Sequence, residues 1–150
     1  MDKFLSSCLS EMHRSTMKPL GFTKDRATFS RQHPSHTERF NIQPSMFNNP
    51  YQRTFFVNCM LLFNDLPEPY QFRHKHKDWD WDQRIERIVP DAPSPWFEYS
   101  HQDDPAVIVS VLSRCILQAS ETLSSEICGY MRKYIAQTDL ALAERSQKEA

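Results

Sequence analysis

Residues 53–63 read RTFFVNCMLLF, and this stretch decides the fold. Successive side chains of a strand point to opposite faces of its sheet. One face of this segment carries Phe55 and the apolar residues at every second position after it, and the other face is also mainly apolar, with Asn58 as its amide. Because a strand that is apolar on both faces is typical of the middle of a sheet, we expect this strand to be central and covered on both sides.

Two shorter strands are predicted before the central one. Residues 26–32 centre on Phe29, and in residues 37–43 the side chains of Phe40 and Ile42 share one face. The polar cluster between these two segments reads as a turn. Because the links are short, antiparallel pairing is favoured over parallel crossovers.

One helix is predicted before these strands in the sequence, and a long helical segment is predicted after them. Residues 3–17 place apolar side chains at intervals of three and four, and Pro19 with Gly21 ends that helix. Asp104-Pro105 has the pattern of an N-cap followed by proline at the first helical position. One long helix follows, or two with a break near Ser120. The predicted class is therefore α+β, with an antiparallel sheet of three or more strands packed by an N-terminal helix and a long C-terminal helix.

The chain of 150 residues has the size of a single domain. We predict one domain over residues 1–150, with a globular core of residues 1–137 and a charged tail, residues 138–150, that frays. No stretch has the length and apolarity of a membrane span, so no membrane partner is expected.

Composition and motifs argue against most enzymes. The chain has two glycines, which are too few for a phosphate-binding loop or a dinucleotide fingerprint, and it has no GxSxG elbow. The four cysteines lack zinc-finger spacing and read as buried thiols in a reducing compartment. We therefore expect a cytoplasmic binding protein with no catalytic residues, no cofactor and no metal.

The strongest local feature is an acidic segment. Residues 78–104 hold eight acidic and two basic side chains, within a chain whose net charge is only −1. Trp79 and Trp81 alternate with the acids and read either as interface anchors or as core residues, whereas Trp96 reads as core. The predicted partner-binding residues are Asp78, Trp79, Asp80, Trp81, Asp82, Asp91, Asp103 and Asp104.

Two alternatives remain open for other residues. The spacing His74-x-His76-x-Asp78 would put metal-ligating groups on one face of an extended segment, which is the pattern of a metal-dependent hydrolase, although a solvated loop fits equally well. The second alternative is a nucleic-acid-binding module that uses the basic residues of the strands and the rings of Phe29 and Phe40. The basic residues concerned are Lys24, Arg26, Arg31, Arg39 and Arg53.

Polar residues within the strands suggest a small pocket. Asn41, Gln43 and Asn58 interrupt apolar patterns, and with Arg31 they could form a polar site. The competing interpretation is that these groups satisfy the backbone or one another on the less buried face.

The order of several short motifs resembles a bacterial family, the domain of unknown function DUF4304, over about residues 5–120. The motifs that carry the resemblance are Gly21-Phe22-x-Lys24, Phe29-x-Arg31, Asn41-x-Gln43-x-Ser45, Phe55-x-Val57-Asn58, Arg84-Ile85 and Trp96-Phe97. Small domains of this kind resemble immunity proteins, which bind and silence a toxin. The resemblance implies that the chain neutralises a cognate toxin or effector by covering its active site. The residues themselves favour a monomer or homodimer, and the slightly negative net charge and the lack of a long apolar run favour neither nucleic acid nor membrane as a partner.

Overall fold

The computed structural model describes residues 1–46, 49, 52–71 and 79–149. Within this part, helices pack on an antiparallel sheet, which confirms the α+β class. One helix precedes the strands in the sequence and the long helical segment follows them, as predicted. The strands are β1 (Thr23–Asp25), β2 (Thr28–Gln32), β3 (His36–Pro44), β4 (Arg53–Phe63), β5 (Trp81–Arg84) and β6 (Phe97–Tyr99). The helices are α1 (Lys3–Met12), α2 (Pro105–Ser125) and α3 (Ile127–Glu149).

Strand β4 is central, as its sequence predicts. The strand order is β1-β2-β3-β4-β5, and β6 also pairs with β4. In this register Phe40 of β3 lies opposite Cys59 of β4, and Asn41 lies opposite Asn58. The bounds of β4 match the predicted 53–63. The sequence prediction missed β1, whose three residues are too short to give a periodic signal and which is joined to β2 by a tight turn with Arg26 at φ 54°.

One face of the sheet is covered by the helices, and we call it the covered face. Phe29, Phe40 and Val57 on this face are completely buried. Helix α1 adds Leu5 and Met12, and α2 contributes a buried stripe that includes Ile116 and Ala119. The 3- and 4-residue periodicity of the apolar side chains on the helices is the physical reason that both bury one face here.

Helix α1 ends in stages. Its N-cap is Asp2, whose Oδ1 accepts a hydrogen bond of 2.7 Å from the backbone N–H of Leu5. After Met12 the chain continues as a π-helical turn, His13–Met17, and a 3₁₀ turn, Lys18–Leu20, before Gly21 takes the left-handed conformation at φ 93°. A glycine is favoured there because residues with a Cβ rarely adopt that region.

The C-terminal segment forms two helices. Asp104 caps α2 through the N–H of Ala106, with Pro105 at the first position, as predicted. The helices are separated at Glu126, and the last residues of α3, which the sequence predicts to fray, are helical to Glu149 and largely exposed. By length and composition α2 could cross a membrane, but seven of its residues are buried against the rest of the fold.

The second face of the sheet differs from the prediction, and we call it the open face. Phe56, Asn58 and Met60 of β4 point to it, and no helix covers it in the part of the chain that the structure describes. Phe56 is instead sheltered by single side chains, because the guanidinium carbon of Arg84 lies 4.0 Å from its ring centroid and Trp96 meets it edge-on. The expectation that β4 is covered on both sides is therefore wrong for this face.

Candidate functional site

The open face holds a broad concavity of about 700 Å³. Strands β1 to β5 all contribute to its lining, because every second residue of each strand points the same way. Its lining residues are Asp25, Thr28, Ser30, Arg39, Asn41, Gln43, Asn58, Met60, Trp79, Asp82 and Arg84. Nine of these eleven carry a polar or charged group, so the concavity offers both donors and acceptors of hydrogen bonds.

A chain of side-chain amides runs across the floor of this concavity. Asn58 donates from Nδ2 to Oε1 of Gln43 at 3.0 Å and, more weakly, to Oδ1 of Asn41 at 3.3 Å. Asn41 in turn donates to Oγ1 of Thr28 at 3.0 Å. The amides therefore satisfy one another in part, as the competing interpretation of these residues expected, and hold one another in fixed orientations. Each keeps further donor or acceptor capacity, because a primary amide has two N–H groups and an oxygen with two lone pairs.

Arg84 stands out among the lining residues. It stacks on Phe56, and its Nη1 is buried with no hydrogen-bond partner among the described residues. A buried donor of this kind is costly to leave unpaired, so the site is suited to a ligand that brings an acceptor oxygen. The formal charges in the lining balance, with Asp25 and Asp82 against Arg39 and Arg84.

A second concavity of about 460 Å³ adjoins the first. Gln43 lines both, and we call the two neighbouring concavities together the groove of the open face. The second part is lined by Phe56 and by Trp96, which is 39% exposed and donates from Nε1 to Oε1 of Glu98 at 3.1 Å. The sequence prediction that Trp96 belongs to the core is wrong, because it is its neighbour Phe97 whose side chain points to the covered face.

The predicted acidic surface is divided by the structure. Asp78 lies outside the described residues, as do His74 and His76 of the proposed metal cluster. Trp79 and Asp82 line the groove. Of the predicted partner-binding set, these are the residues that the structure brings together on the open face.

The remaining predicted partner-binding residues serve within the fold. Trp81 points to the covered face and packs on Tyr130 at 4.5 Å between ring centroids. Asp80 accepts a hydrogen bond of 2.9 Å from the N–H of Phe63, which fixes the start of β5 against the end of β4. Asp103 accepts from the N–H of Ser100 at 2.8 Å, in the turn before the N-cap Asp104.

Asp91 is an exposed member of the set and has a described partner. Its Oδ2 lies 3.4 Å from Nη1 of Arg114 on α2, and both side chains are more than half exposed. An exposed pair of this kind contributes little to stability. Asp91 is thus compatible with a surface role, but it does not line the groove.

Arg31 does not join Asn41 and Gln43, because it points to the covered face. There its Nε donates to Oε1 of the fully buried Glu38 at 2.9 Å, and its Nη2 donates to Ser120 of α2 at 2.8 Å. Ser120 donates to the same carboxylate at 2.9 Å. This cluster ties the sheet to α2 and leaves Arg31 no part in the open-face pocket.

A second polar cluster lies beside this carboxylate. The rings of His33 and His36 stack with centroids 4.6 Å apart, and Glu38 is close to both. Burial lowers the pKa of His36, with the neighbouring His33 acting in the same direction. Among the described residues, these three are the group whose ligand atoms lie close enough together to hold a metal ion.

The three buried cysteines are not activated as nucleophiles. Burial raises the pKa of the Cys8, Cys59 and Cys115 thiols, whereas an attacking cysteine needs a lowered one. Tyr99 also has a raised pKa, because it is buried and its hydroxyl donates to Asp2.

Two members of the groove, Met60 and Arg84, show why sequence reasoning misses part of it. The apolar second face of β4 predicts a covering layer over Met60, and Arg84 can be placed only through the pairing of β5 with β4, where it lies opposite Asn58. That pairing joins residues far apart in the chain, and no local motif reveals it. Alternation along β3 does place Asn41 and Gln43 on the other face of the sheet from Phe40, and the sequence alone shows this alternation.

The comparisons with known proteins give one match. The model of the family "domain of unknown function (DUF4304)" matches residues 13–135. No curated protein and no solved structure matches the chain.

Proposed function

This chain belongs to the DUF4304 family, and we propose that it is an immunity-type binding protein, which takes a protein toxin or effector into the groove on the open face of its sheet. The observation that carries the proposal is the combination of an uncovered polar groove with a buried, unpartnered N–H of Arg84 inside it. Polar groups that a fold leaves unsatisfied in a concave surface favour a ligand that completes them.

The composition of the groove suits a protein partner. Trp79 and Trp96 stand along it as large rigid side chains, which are the residue types that most often supply binding energy at protein interfaces. The amides of Asn41 and Asn58 can donate to and accept from the backbone of a partner loop. The balanced charges favour a partner segment that itself has mixed charge, rather than a uniformly basic cleft.

This proposal narrows the acidic surface predicted from the sequence. Asp82 and Trp79 keep a place in the partner site, whereas Asp80 and Asp104 hold the fold together through the N–H groups they bind. If the charges of all the predicted acidic residues were reversed together, a loss of binding could result from unfolding as well as from a changed partner site. Asp82 is exposed and can be changed alone.

The nucleic-acid alternative receives less support. Phe29 and Phe40, the rings proposed to stack on bases, are completely buried. Of the basic residues, Arg31 pairs with Glu38 and Arg53 lies 3.5 Å from Asp2, so their charges are partly neutralised within the fold. We place the protein in the cytoplasm, in keeping with its free cysteines.

The test uses a matched pair of charge reversals. Arg84→Glu changes the groove, and Arg114→Glu makes the same change on the exposed surface of α2. The chain is used as bait in cells of its source, the captured protein is identified and purified, and its affinity for each variant is measured by calorimetry. We expect Arg84→Glu to weaken binding by about thirtyfold or more, and Arg114→Glu to bind as the unmodified chain does.

Equal affinities for the two variants would remove the groove as the partner site. The immunity role is tested separately, by whether the unmodified chain inhibits the activity of the captured protein. A partner that binds the groove and keeps its full activity would leave a binding module and rule out an immunity-type inhibitor.

A further inference from the structure

We infer that His33, His36 and Glu38 form a site for one divalent transition-metal ion of the zinc class. The three residues lie at the turn between β2 and β3 and at the start of β3, on the covered face of the sheet. Their ligand atoms all lie within 4.8 Å of one another. The site is separate from the groove, and it does not depend on the function proposed for that face.

His36 is the more enclosed of the two histidines. The residue is 2% exposed, and its Nε2 is buried with no hydrogen-bond partner among the described residues. Its other nitrogen, Nδ1, lies 2.8 Å from the hydroxyl of Ser35. When Nδ1–H donates to that hydroxyl, Nε2 is left with a free lone pair, which is the arrangement that a metal-binding histidine adopts.

His33 repeats the same feature. Its Nε2 is also buried and lacks a hydrogen-bond partner within the described part of the chain. This nitrogen lies 3.4 Å from Oε1 of Glu38. Two ligands bound to tetrahedral zinc at bonds of about 2.0–2.1 Å are separated by about 3.3 Å, so this pair already has the required spacing. The ligand atom of His36 lies within 4.8 Å of both.

Glu38 supplies the negative charge. Its carboxylate accepts from Nε of Arg31 and from Oγ of Ser120. An ionised carboxylate has about four acceptor positions, so capacity remains for a metal bond. The positive charge of Arg31 repels a metal ion bound to the same carboxylate. We therefore expect the affinity of this site for zinc to be well below that of a four-cysteine zinc site.

The donor set selects the class of ion. Two imidazole nitrogens and one carboxylate oxygen suit zinc, cobalt and similar ions, whereas magnesium and calcium prefer oxygen ligands alone. Three protein ligands also leave one coordination position for water or for a group of a bound molecule.

Cobalt(II) titration of the full-length chain, followed by visible absorption and then by displacement with zinc, tests the assignment. We expect one ion per chain. His33→Ala and His36→Ala should each weaken binding by at least about 100-fold, and Ser35→Ala by about tenfold, because loss of the group that orients a ligand costs less than loss of the ligand. Circular dichroism checks that each variant is folded.

The control is the double substitution His74→Ala/His76→Ala, which removes the other His pair that the sequence places near acids. This variant should bind cobalt as the unmodified chain does. The assignment is overturned if the unmodified chain binds no cobalt or zinc, or if binding survives in His33→Ala and is lost in the control. If His36→Ala does not fold, the stoichiometry of the unmodified chain and the His33→Ala result still decide the question.

Discussion

The two faces of the sheet carry similar polar groups and use them differently. On the covered face, Arg31 and Glu38 of the sheet and Ser120 of α2 form hydrogen bonds with one another that are all shorter than 3 Å. On the open face, the amides of Asn41 and Asn58 satisfy one another only in part, and the buried Nη1 of Arg84 has no partner among the described residues. Arg31, Glu38 and Ser120 on the covered face therefore tie the sheet to α2, whereas the amides and Arg84 of the open face keep unused hydrogen-bonding capacity.

This difference predicts that substitutions on one face affect mainly stability and that substitutions on the other face affect mainly partner binding. Substitutions on the covered face should cost stability because they leave cavities or unpaired charges in a packed interior. Substitutions on the open face should leave the fold nearly unchanged and act on partner binding. Three experiments would break this comparison if it is wrong.

The largest effect is expected from adjacent residues on opposite faces. Phe40→Ala removes a completely buried ring and should lower the free energy of unfolding by about 3–5 kcal/mol. Asn41→Ala, one position further along β3, loses a half-buried amide and should cost about 1 kcal/mol. Urea denaturation of both variants provides the measurement, and similar losses for the two would contradict the assignment of faces.

A smaller effect is expected at the buried carboxylate. Glu38→Gln keeps the shape but removes the charge that Arg31 and Ser120 share, so it should destabilise the chain by about 3 kcal/mol. The double variant Glu38→Gln/Arg31→Met should recover part of that loss, because no unpaired guanidinium remains under α2.

Arg84→Gln is the matched change on the open face. It should alter stability by less than about 0.5 kcal/mol, because removal of the unpartnered buried donor offsets the loss of the stack on Phe56. A loss at Arg84 as large as the loss at Glu38 would show that the open-face arginine is structural.

The smallest effect concerns Asp2, the cap of α1. Burial acts to raise its pKa, but hydrogen bonds from the N–H of Leu5 and the hydroxyl of Tyr99, with the charge of Arg53, outweigh burial and lower it below the ordinary value of 3.8. A group whose pKa is lowered by folding stabilises the fold at pH values above its pKa in the unfolded chain. This stabilisation is lost as the pH falls through the pKa of the group in the folded chain.

Asp2→Asn should therefore cost about 1–2 kcal/mol at neutral pH and progressively less below about pH 4. Thermal or urea unfolding across this range provides the measurement, with Asp82→Asn as the open-face control that changes little at any pH. A penalty for Asp2→Asn that stays constant down to strongly acid pH would show that the charge of Asp2 has no role.

Much of the fold follows from local patterns in the sequence. The periodicities of β4, α1 and α2 are long and regular, and the cap Asp104-Pro105 has a local cause, so these elements were predicted correctly. Strand β1 was missed because three residues carry no period. The apolar second face of β4 predicts a covering layer that the described residues lack, since sequence alone does not show that Arg84 and Trp96 can shelter Phe56.

The groove was harder to predict than the fold. The separation of Arg31 from Asn41 was predictable from period-two alternation. Arg31 lies on the same face of the sheet as Phe29, whereas Asn41 lies on the face opposite to that of Phe40. The part played by Arg84 depends on a long-range strand pairing that leaves no local trace. The acids of residues 78–104 look alike in sequence, and only tertiary structure divides a groove residue such as Asp82 from one such as Asp80, which accepts a backbone hydrogen bond.

The short outer strands also limit how the sheet can meet another molecule. β1 and β6 have three residues each and β5 has four, so the margins offer few free backbone groups for an added strand. Edge-to-edge aggregation and capture of an extended peptide by backbone pairing are both disfavoured. The proposed recognition of a partner then rests on side chains of the open face, which evolution or engineering can exchange one at a time, altering the preferred target while the scaffold beneath stays the same.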